Sequence, residues 1–130
     1  AVVLNKENLV LHIKHKVLDK WLLPGGHCEF TDTSLVSACL REVSEETGVS
    51  IEDLELLRQE PVDIDLHQIP ANASRKEPDH WHADFRFVFR IHSVEVTLQE
   101  EEVTDFKWIP IQEIPMCRLA SRLNELFNNR

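Results

Sequence analysis

Three glutamates stand close together in the run Arg41-Glu42-Val43-Ser44-Glu45-Glu46-Thr47-Gly48. On a helix, Glu42, Glu45 and Glu46 would share one face. Carboxylates three or four residues apart repel one another by ~0.2–0.5 kcal/mol per pair, and the negative end of the helix dipole adds to the repulsion. A hard divalent cation such as Mg²⁺ or Mn²⁺ would remove the conflict, because it prefers oxygen ligands. The alternative is a solvated charged face, which the helix taken alone favours.

The residues around this run predict where the helix begins and ends. Asp32, Thr33 and Ser34 are three successive candidates for the N-cap. Gly48 is a natural stop, because glycine adopts the left-handed conformation that follows many helices. Between these limits, helical periodicity places five apolar residues on a buried side: Leu35, Val36, Cys39, Leu40 and Val43. Just upstream, Gly25 and Gly26 would let the backbone approach a ligand closely.

Together, the glycines and the acidic helix resemble the signature of the Nudix hydrolases. That pattern is glycine, five residues, glutamate, seven residues, then Arg-Glu-apolar-any-Glu-Glu-any-Gly-apolar. Gly26 matches the first glycine, and the whole second half is matched by Arg41, Glu42, Val43, Glu45, Glu46, Gly48 and Val49. The middle departs from the pattern, because eight residues separate Asp32 from Arg41. Either Asp32 replaces the glutamate beside a one-residue insertion, or Thr33 holds that place in a longer loop.

The resemblance implies the fold and the reaction. We expect an α/β fold, the Nudix-type α/β/α sandwich with a mixed β-sheet, in one Nudix-like hydrolase domain over residues 1–130 that looks trimmed at its N-terminus. The implied activity is metal-dependent hydrolysis of a diphosphate bond in a nucleoside diphosphate linked to another moiety. The irregular middle of the motif motivates an alternative, namely a catalytically inactive module that binds a nucleotide or a metal.

The resemblance also implies roles for individual residues. Mg²⁺ or Mn²⁺ would be held by Glu42, Glu45, Glu46 and a backbone carbonyl of Gly25 or Gly26. Arg41 would orient the carboxylates by hydrogen bonds. The general base would be Glu45, or Glu102 from the acidic loop 99–102, with Glu101 as the next candidate in that loop. For this acidic loop, a simple acidic turn is an equally good interpretation.

A second group of polar residues alternates along two strand-like runs, 62–69 and 80–89. On the first run Asp63, Asp65 and His67 share one side, and on the second His80, His82, Asp84 and Arg86 share one side, opposite Trp81, Ala83, Phe85, Phe87 and Phe89. If the two runs pair, the polar side chains form a band across one sheet face. The 61–89 stretch also resembles a little-characterised Nudix subgroup.

The polar band has three interpretations. It could be the floor of a substrate cleft, with His82, Asp84 and Arg86 contacting substrate; His27, after the glycines, could reach the same ligand. It could be a solvated face with ion pairs such as Asp65 to Arg86. It could be a zinc site, since His80, His82 and Asp84 are plausible ligands, although further ligands must come from elsewhere. We rank the cleft first and zinc last.

Composition limits the partners. The net charge of -9 argues against binding long nucleic acid, but not against nucleotides, because a metal can mediate phosphate contact. We expect no membrane association, because no apolar run has spanning length and no signal peptide is present. Three cysteines without metal-ligand spacing favour reduced thiols in a cytoplasmic protein. The expected partner is a small nucleoside diphosphate derivative, and the oligomeric state stays open, with a homodimer as the candidate.

Strand patterns complete the expected sheet. Residues 1–4 and 9–15 predict a hairpin, and alternation in the second run predicts one buried face with Leu9, Leu11 and Ile13. Further short strands are predicted at 21–23, 54–58, 94–98 and 103–109. An amphipathic helix is predicted over 116–128, with Leu119, Leu123, Leu126 and Phe127 inward.

Overall fold

The computed structural model describes residues 1–92, 96, 98 and 102–128. Eight strands are described: β1 (Val2–Leu4), β2 (Leu9–His15), β3 (Lys20–Leu22), β4 (Leu54–Leu56), β5 (Asp63–Ile69), β6 (His80–Arg86), β7 (Val88–Ile91) and β8 (Val103–Pro110). Helices α1 (Leu35–Thr47) and α2 (Cys117–Asn128) accompany three short 3-10 turns at Ile51–Asp53, Ala73–Arg75 and Ile111–Glu113. Within the described part of the chain, no helix is long and apolar enough to cross a membrane. The predicted strand 94–98 falls largely outside the described residues, as does Glu101.

The main sheet is mixed and is organised around β2. Its order is β3-β2-β1-β7-β4, and β8 pairs with β2 along its whole length. The β1 strand pairs antiparallel with β2 and parallel with β7. The mixed sheet and the predicted β1–β2 hairpin are therefore confirmed.

Alternating side chains on the central strands separate two apolar cores. Val3, Leu11 and Phe89 pack on the face that carries Val43 of α1. Their neighbours Val2, Val10 and Val88 pack on the other face, against Leu119 and Leu123 of α2. Each of these strands thus contributes side chains to both apolar cores, because successive residues point to opposite faces. This arrangement confirms the predicted sandwich, with the acidic helix on one side and the C-terminal helix on the other.

The prediction that β2 buries one face is wrong. Val10 and His12 are as buried as Leu11 and Ile13, with His12 only 2% exposed. The reason is tertiary, because β2 lies inside the sheet and is covered on both sides. Alternation of apolar and polar residues predicts a half-buried strand, and a histidine inside a core breaks that rule.

The β5–β6 hairpin forms a separate two-stranded sheet. The two runs pair in the register that aligns Asp65 with Asp84 and His67 with His82, so the predicted polar band exists. The apolar side of the hairpin points outward, where Leu66 and Trp81 are each 67% exposed. The polar side therefore faces the body of the molecule.

A buried carboxylate fastens this hairpin to α2. Asp63 is 1% exposed and accepts hydrogen bonds from Arg86 at 2.6 Å, Arg118 at 2.7 Å and Arg122 at 3.0 Å. Burial alone would raise the pKa of Asp63, but the bonds from Arg118 and Arg86 outweigh it and lower the pKa. Arg86 lies 3.9 Å from Asp65. Its main partner is therefore Asp63, and not Asp65 as the solvated-face interpretation suggested.

Removing the Asp63 carboxylate should therefore destabilise the fold. We expect Asp63→Ala to lower the free energy of unfolding by about 3 kcal/mol, because the mostly buried Arg86 would lose its partner. Asp65→Ala is the matched control on the same strand. Its side chain is 35% exposed, so its loss should stay within ~1 kcal/mol. Urea denaturation in metal-free buffer measures both, and equal losses would contradict the role given to Asp63.

Candidate active site

Local capping fixes both ends of the acidic helix. Ser34 is the N-cap, because its side chain accepts a hydrogen bond from the Ser37 N–H at 3.0 Å while the Ser37 hydroxyl accepts one from the Ser34 N–H at 2.9 Å. Gly48 ends the helix in the left-handed conformation, with φ of 70°, and donates to the Ser44 carbonyl. Of the three predicted N-caps, the structure selects Ser34, and it confirms the predicted stop.

Arg41 connects the helix acids to the preceding loop. Its Nη1 donates to Glu42 Oε1 at 2.9 Å and to Glu45 Oε2 at 3.2 Å. Its Nη2 donates to the carbonyl of His27 at 3.0 Å. The surrounding carboxylates raise the pKa of Arg41 further above its ordinary value. The side chain is therefore a permanent cation that offsets the repulsion within the acidic face.

Asp32 completes this arrangement and answers a question that the sequence left open. Both of its carboxylate oxygens accept from Arg41, at 2.9 Å from Nε and 3.0 Å from Nη2. The hydrogen bonds from Arg41, and then one from the Glu29 N–H, lower the pKa of Asp32. Thr33 instead contacts the Ser37 hydroxyl at 3.5 Å. Asp32 is thus the residue of this pair that bonds to Arg41.

Two helix acids touch the glycine pair. The Gly25 N–H donates to Glu46 Oε1 at 2.9 Å. A Cβ placed on Gly26 would lie 2.6 Å from Glu42 Oε1, so only glycine leaves that carboxylate where it is. The loop and the acidic face are therefore in direct contact, as the predicted metal site requires.

Glu46 is a buried carboxylate in an acidic neighbourhood. Burial raises the pKa of Glu46 to about 7, while the Gly25 N–H opposes the rise and the charges of Glu42 and Glu102 add to it. Glu102 itself is exposed in the turn before β8. A carboxylate set with this much unrelieved negative charge fits a divalent cation.

A cavity of about 850 Å³ lies beside this acidic face. All four residues predicted to bind substrate line it, as do both glycines: Gly25, Gly26, His27, His82, Asp84 and Arg86. Ala38 of α1, one helical turn before Glu42, lines it as well. Its volume suits a small organic ligand.

Sequence reasoning missed several other residues of this cavity. Trp21, Lys107 and Trp108 line it, and Lys107 Nζ lies 4.2 Å from the centre of the Trp21 ring. His12 also lines it from the middle of β2. Burial lowers the pKa of His12, so its ring is neutral, and its Nε2 has no hydrogen-bond partner among the described residues. The only sequence signal for His12 was a polar residue between the apolar residues Leu11 and Ile13.

A second group of potential metal ligands lies on the hairpin. Among the described residues, the one set of three histidine, cysteine or carboxylate side chains whose ligand atoms all lie within 4.8 Å of one another is His67, His82 and Asp84. The zinc interpretation named His80, His82 and Asp84. The set in the structure keeps His82 and Asp84, but its third member is His67 from the neighbouring strand and not His80. The helix glutamates do not form such a set.

The fold and the acidic helix after a glycine loop define a class of protein. The family model described as NUDIX domain matches residues 1–128. A Lactococcus lactis subsp. cremoris protein named probable DHNTP pyrophosphohydrolase is 34% identical over 110 residues, which is 85% of this chain and 61% of that protein. The chain belongs to the Nudix family. It spans less than two thirds of the length of that relative. A Mycobacterium tuberculosis protein named "Putative mutator protein MutT4" is 32% identical over 100 residues, which is 77% of this chain and 36% of that protein.

Solved structures agree on the fold. The chain superposes on a C. elegans Ap4A hydrolase binary complex with a TM-score of 0.72 at 16% identity, over 99% of this chain and 96% of that one. It superposes equally well, with a TM-score of 0.72 at 16% identity, on the E. coli dihydroneopterin triphosphate pyrophosphohydrolase, over 99% and 92% of the two chains. At such identities the likeness shows the architecture alone.

The raised pKa of Glu46 predicts an unusual pH dependence of stability. Because the folded pKa of about 7 exceeds the ordinary value of 4.5, the folded state binds the extra proton between these values. The free energy of unfolding in metal-free buffer should therefore fall as pH rises from about 4.5 to 7, and stay low above. Glu46→Gln should remove this fall, so that the variant is more stable than wild type at pH 8.

Denaturation at pH 5 and pH 8 in the presence of a chelator would measure this difference. Glu52→Gln, at an exposed glutamate outside the site, is the control and should keep the wild-type profile. If Glu46→Gln keeps the same fall in stability as wild type, Glu46 is not the group responsible.

Proposed function

We propose that this protein is a metal-dependent Nudix pyrophosphohydrolase that cleaves a diphosphate bond in a nucleoside diphosphate linked to another moiety. The observation that carries the proposal is the acidic face of α1, gathered around Arg41 and pressed against Gly25 and Gly26 at the edge of a ligand-sized cavity. The family membership and the pyrophosphohydrolase name of the Lactococcus relative support it.

The residues that would hold Mg²⁺ or Mn²⁺ are Glu42, Glu45, Glu46 and a backbone carbonyl of Gly25 or Gly26. When bound, such a cation neutralises phosphate charge and acidifies the attacking water. Glu46 would bind it as the carboxylate, so metal binding should displace the proton that burial favours. Arg41 would release Glu42 and Glu45 toward the metal while Asp32 keeps its guanidinium in place.

Two carboxylates are candidates for the general base. Glu45 has a half-exposed side chain next to Arg41, and Glu102 is exposed in the turn before β8 and acts on Glu46 through its charge. Either could accept a proton from water on the cavity side of the helix. The substrate-binding residues His27, His82, Asp84 and Arg86 would contact the substrate from the opposite wall.

The second candidate function is an inactive nucleotide- or metal-binding module. One observation favours it: Arg41 engages the carboxylates of both Glu42 and Glu45, so these acids would have to exchange partners before they could hold a metal. The two functions differ in turnover, not in binding.

Turnover with magnesium separates the two functions. We expect hydrolysis of a diphosphate bond in at least one member of a panel of nucleoside triphosphates, ADP-ribose, nucleotide sugars, dinucleoside polyphosphates and dihydroneopterin triphosphate, measured by chromatography of the two phosphorylated products. Glu45→Gln or Glu46→Gln should lower kcat/KM by about 100-fold or more, and Glu52→Gln should not. Magnesium should raise the melting temperature of the wild type more than that of Glu46→Gln. Binding across the panel without turnover would favour the inactive module.

His12 should affect recognition more than chemistry. His12 lines the cavity, and its buried Nε2 has no hydrogen-bond partner among the described residues, so a small rotation of the ring would let a polar edge of a bound base pair with it. His12→Phe should raise KM more than it lowers kcat. It should also leave the fold equally or more stable, because an unpaired buried nitrogen costs ~1–3 kcal/mol. His15→Phe, on the same strand but outside the cavity lining, is the control, and equal kinetics for all three proteins would contradict this role.

A further inference from the structure

The polar face of the β5–β6 hairpin carries a cluster of imidazoles and carboxylates. The proposed hydrolysis uses His82 and Asp84 of this cluster only as substrate contacts and gives His67 no role. Direct cross-strand pairing puts His67 opposite His82 and Asp65 opposite Asp84. Residues directly opposite in an antiparallel pair have Cβ atoms ~4.5–5.5 Å apart. The side chains of His67 and His82 are therefore held side by side by the backbone.

We propose that His67, His82 and Asp84 bind a divalent transition metal of the zinc class, at a site distinct from the acidic face of α1. Their ligand atoms already lie within 4.8 Å of one another. Ligands bonded to zinc at ~2.0–2.2 Å in a tetrahedron are about 3.3–3.6 Å apart. Small rotations of these side chains would bring the three ligand atoms from their present separations to this spacing.

The hydrogen bonding of the cluster points the same way. His67 Nδ1 is buried and has no hydrogen-bond partner among the described residues. It faces one oxygen of Asp65 at 3.5 Å and one of Asp84 at 3.8 Å, beyond hydrogen-bonding range but suited to a shared cation. An unpaired buried nitrogen between two carboxylates is costly unless something binds there.

His80 provides the nearest further nitrogen. Its Nδ1 lies 2.9 Å from the Pro78 carbonyl, to which only an Nδ1–H can donate, so in the neutral ring the lone pair is on Nε2. That Nε2 lies 3.1 Å from Nε2 of His82, close to the spacing of two ligands on one zinc ion. A backbone carbonyl that fixes the tautomer of a ligand histidine is a common feature of metal sites.

The choice of metal follows from the donor atoms. Two imidazoles and one carboxylate favour zinc or another first-row transition metal, whereas magnesium prefers oxygen ligands alone. His82 and Asp84 also line the cavity, and the ring of His27 in the glycine loop lies 5.3 Å from that of His82. A three-ligand ion here would present an open position to the cavity, where an anionic part of a ligand could occupy it.

The test uses the full chain. Calorimetry measures its zinc binding, and the absorption spectrum of the cobalt-substituted protein reports which atoms bind the metal. A Glu42→Gln, Glu45→Gln, Glu46→Gln triple variant removes the helix acids and isolates the hairpin. We expect this triple variant to bind one zinc per chain and to give the visible cobalt band of a nitrogen-containing site. In the same background His82→Ala, His67→Ala or Asp84→Asn should each weaken zinc binding by about tenfold or more.

Gln68→Ala is the matched control, because Gln68 follows His67 on β5 and points to the opposite face. It should keep zinc affinity within about twofold. Circular dichroism and melting temperature without metal would show whether each variant is folded. The proposal is overturned if the folded triple variant binds no zinc, or if zinc binding survives unchanged in both His67→Ala and His82→Ala.

Discussion

The site depends on one guanidinium. Three carboxylates on a single helix face would repel one another, and two of them stand in the last turn, where the helix dipole is unfavourable. Arg41 reaches Glu42 and Glu45, while Asp32 and the His27 carbonyl hold its other side. Because Asp32 and His27 belong to the loop before the helix, the same side chain that relieves the repulsion also docks that loop onto α1.

A second ionic arrangement shapes the opposite wall. Asp63 gathers three arginines, one from β6 and two from α2, and so attaches an otherwise peripheral hairpin to the body of the protein. This attachment turns the polar face of the hairpin toward the glycine loop and leaves Leu66 and Trp81 outside. The cavity between hairpin and helix exists because both of these charged networks hold their elements in place.

The two proposed metal sites use different chemistry. The acidic face of α1 offers oxygen atoms alone, whereas the hairpin offers imidazole nitrogens beside carboxylates. Hard ions should prefer the first and zinc-like ions the second. In this chain of net charge -9, Arg41 offsets part of the negative charge at the first site, and Arg86 and Arg118 do so beside the second.

The sequence by itself determined the acidic helix and its stop at Gly48, through helical periodicity and capping, and it predicted the sandwich fold through the resemblance of its motif to the Nudix signature. It also placed the polar residues of each hairpin strand on one side, because strand residues alternate between faces. The choice of Ser34 among three N-caps and the pairing of the two polar strands were decided by the tertiary structure. Which residue pairs with Arg41, how β2 becomes buried on both faces, and that His12 ends in the cavity wall were decided only by the tertiary structure. So was the meeting of His67 with His82. These contacts join residues far apart in the chain, and no local pattern records which strands become neighbours or which face of a hairpin turns inward.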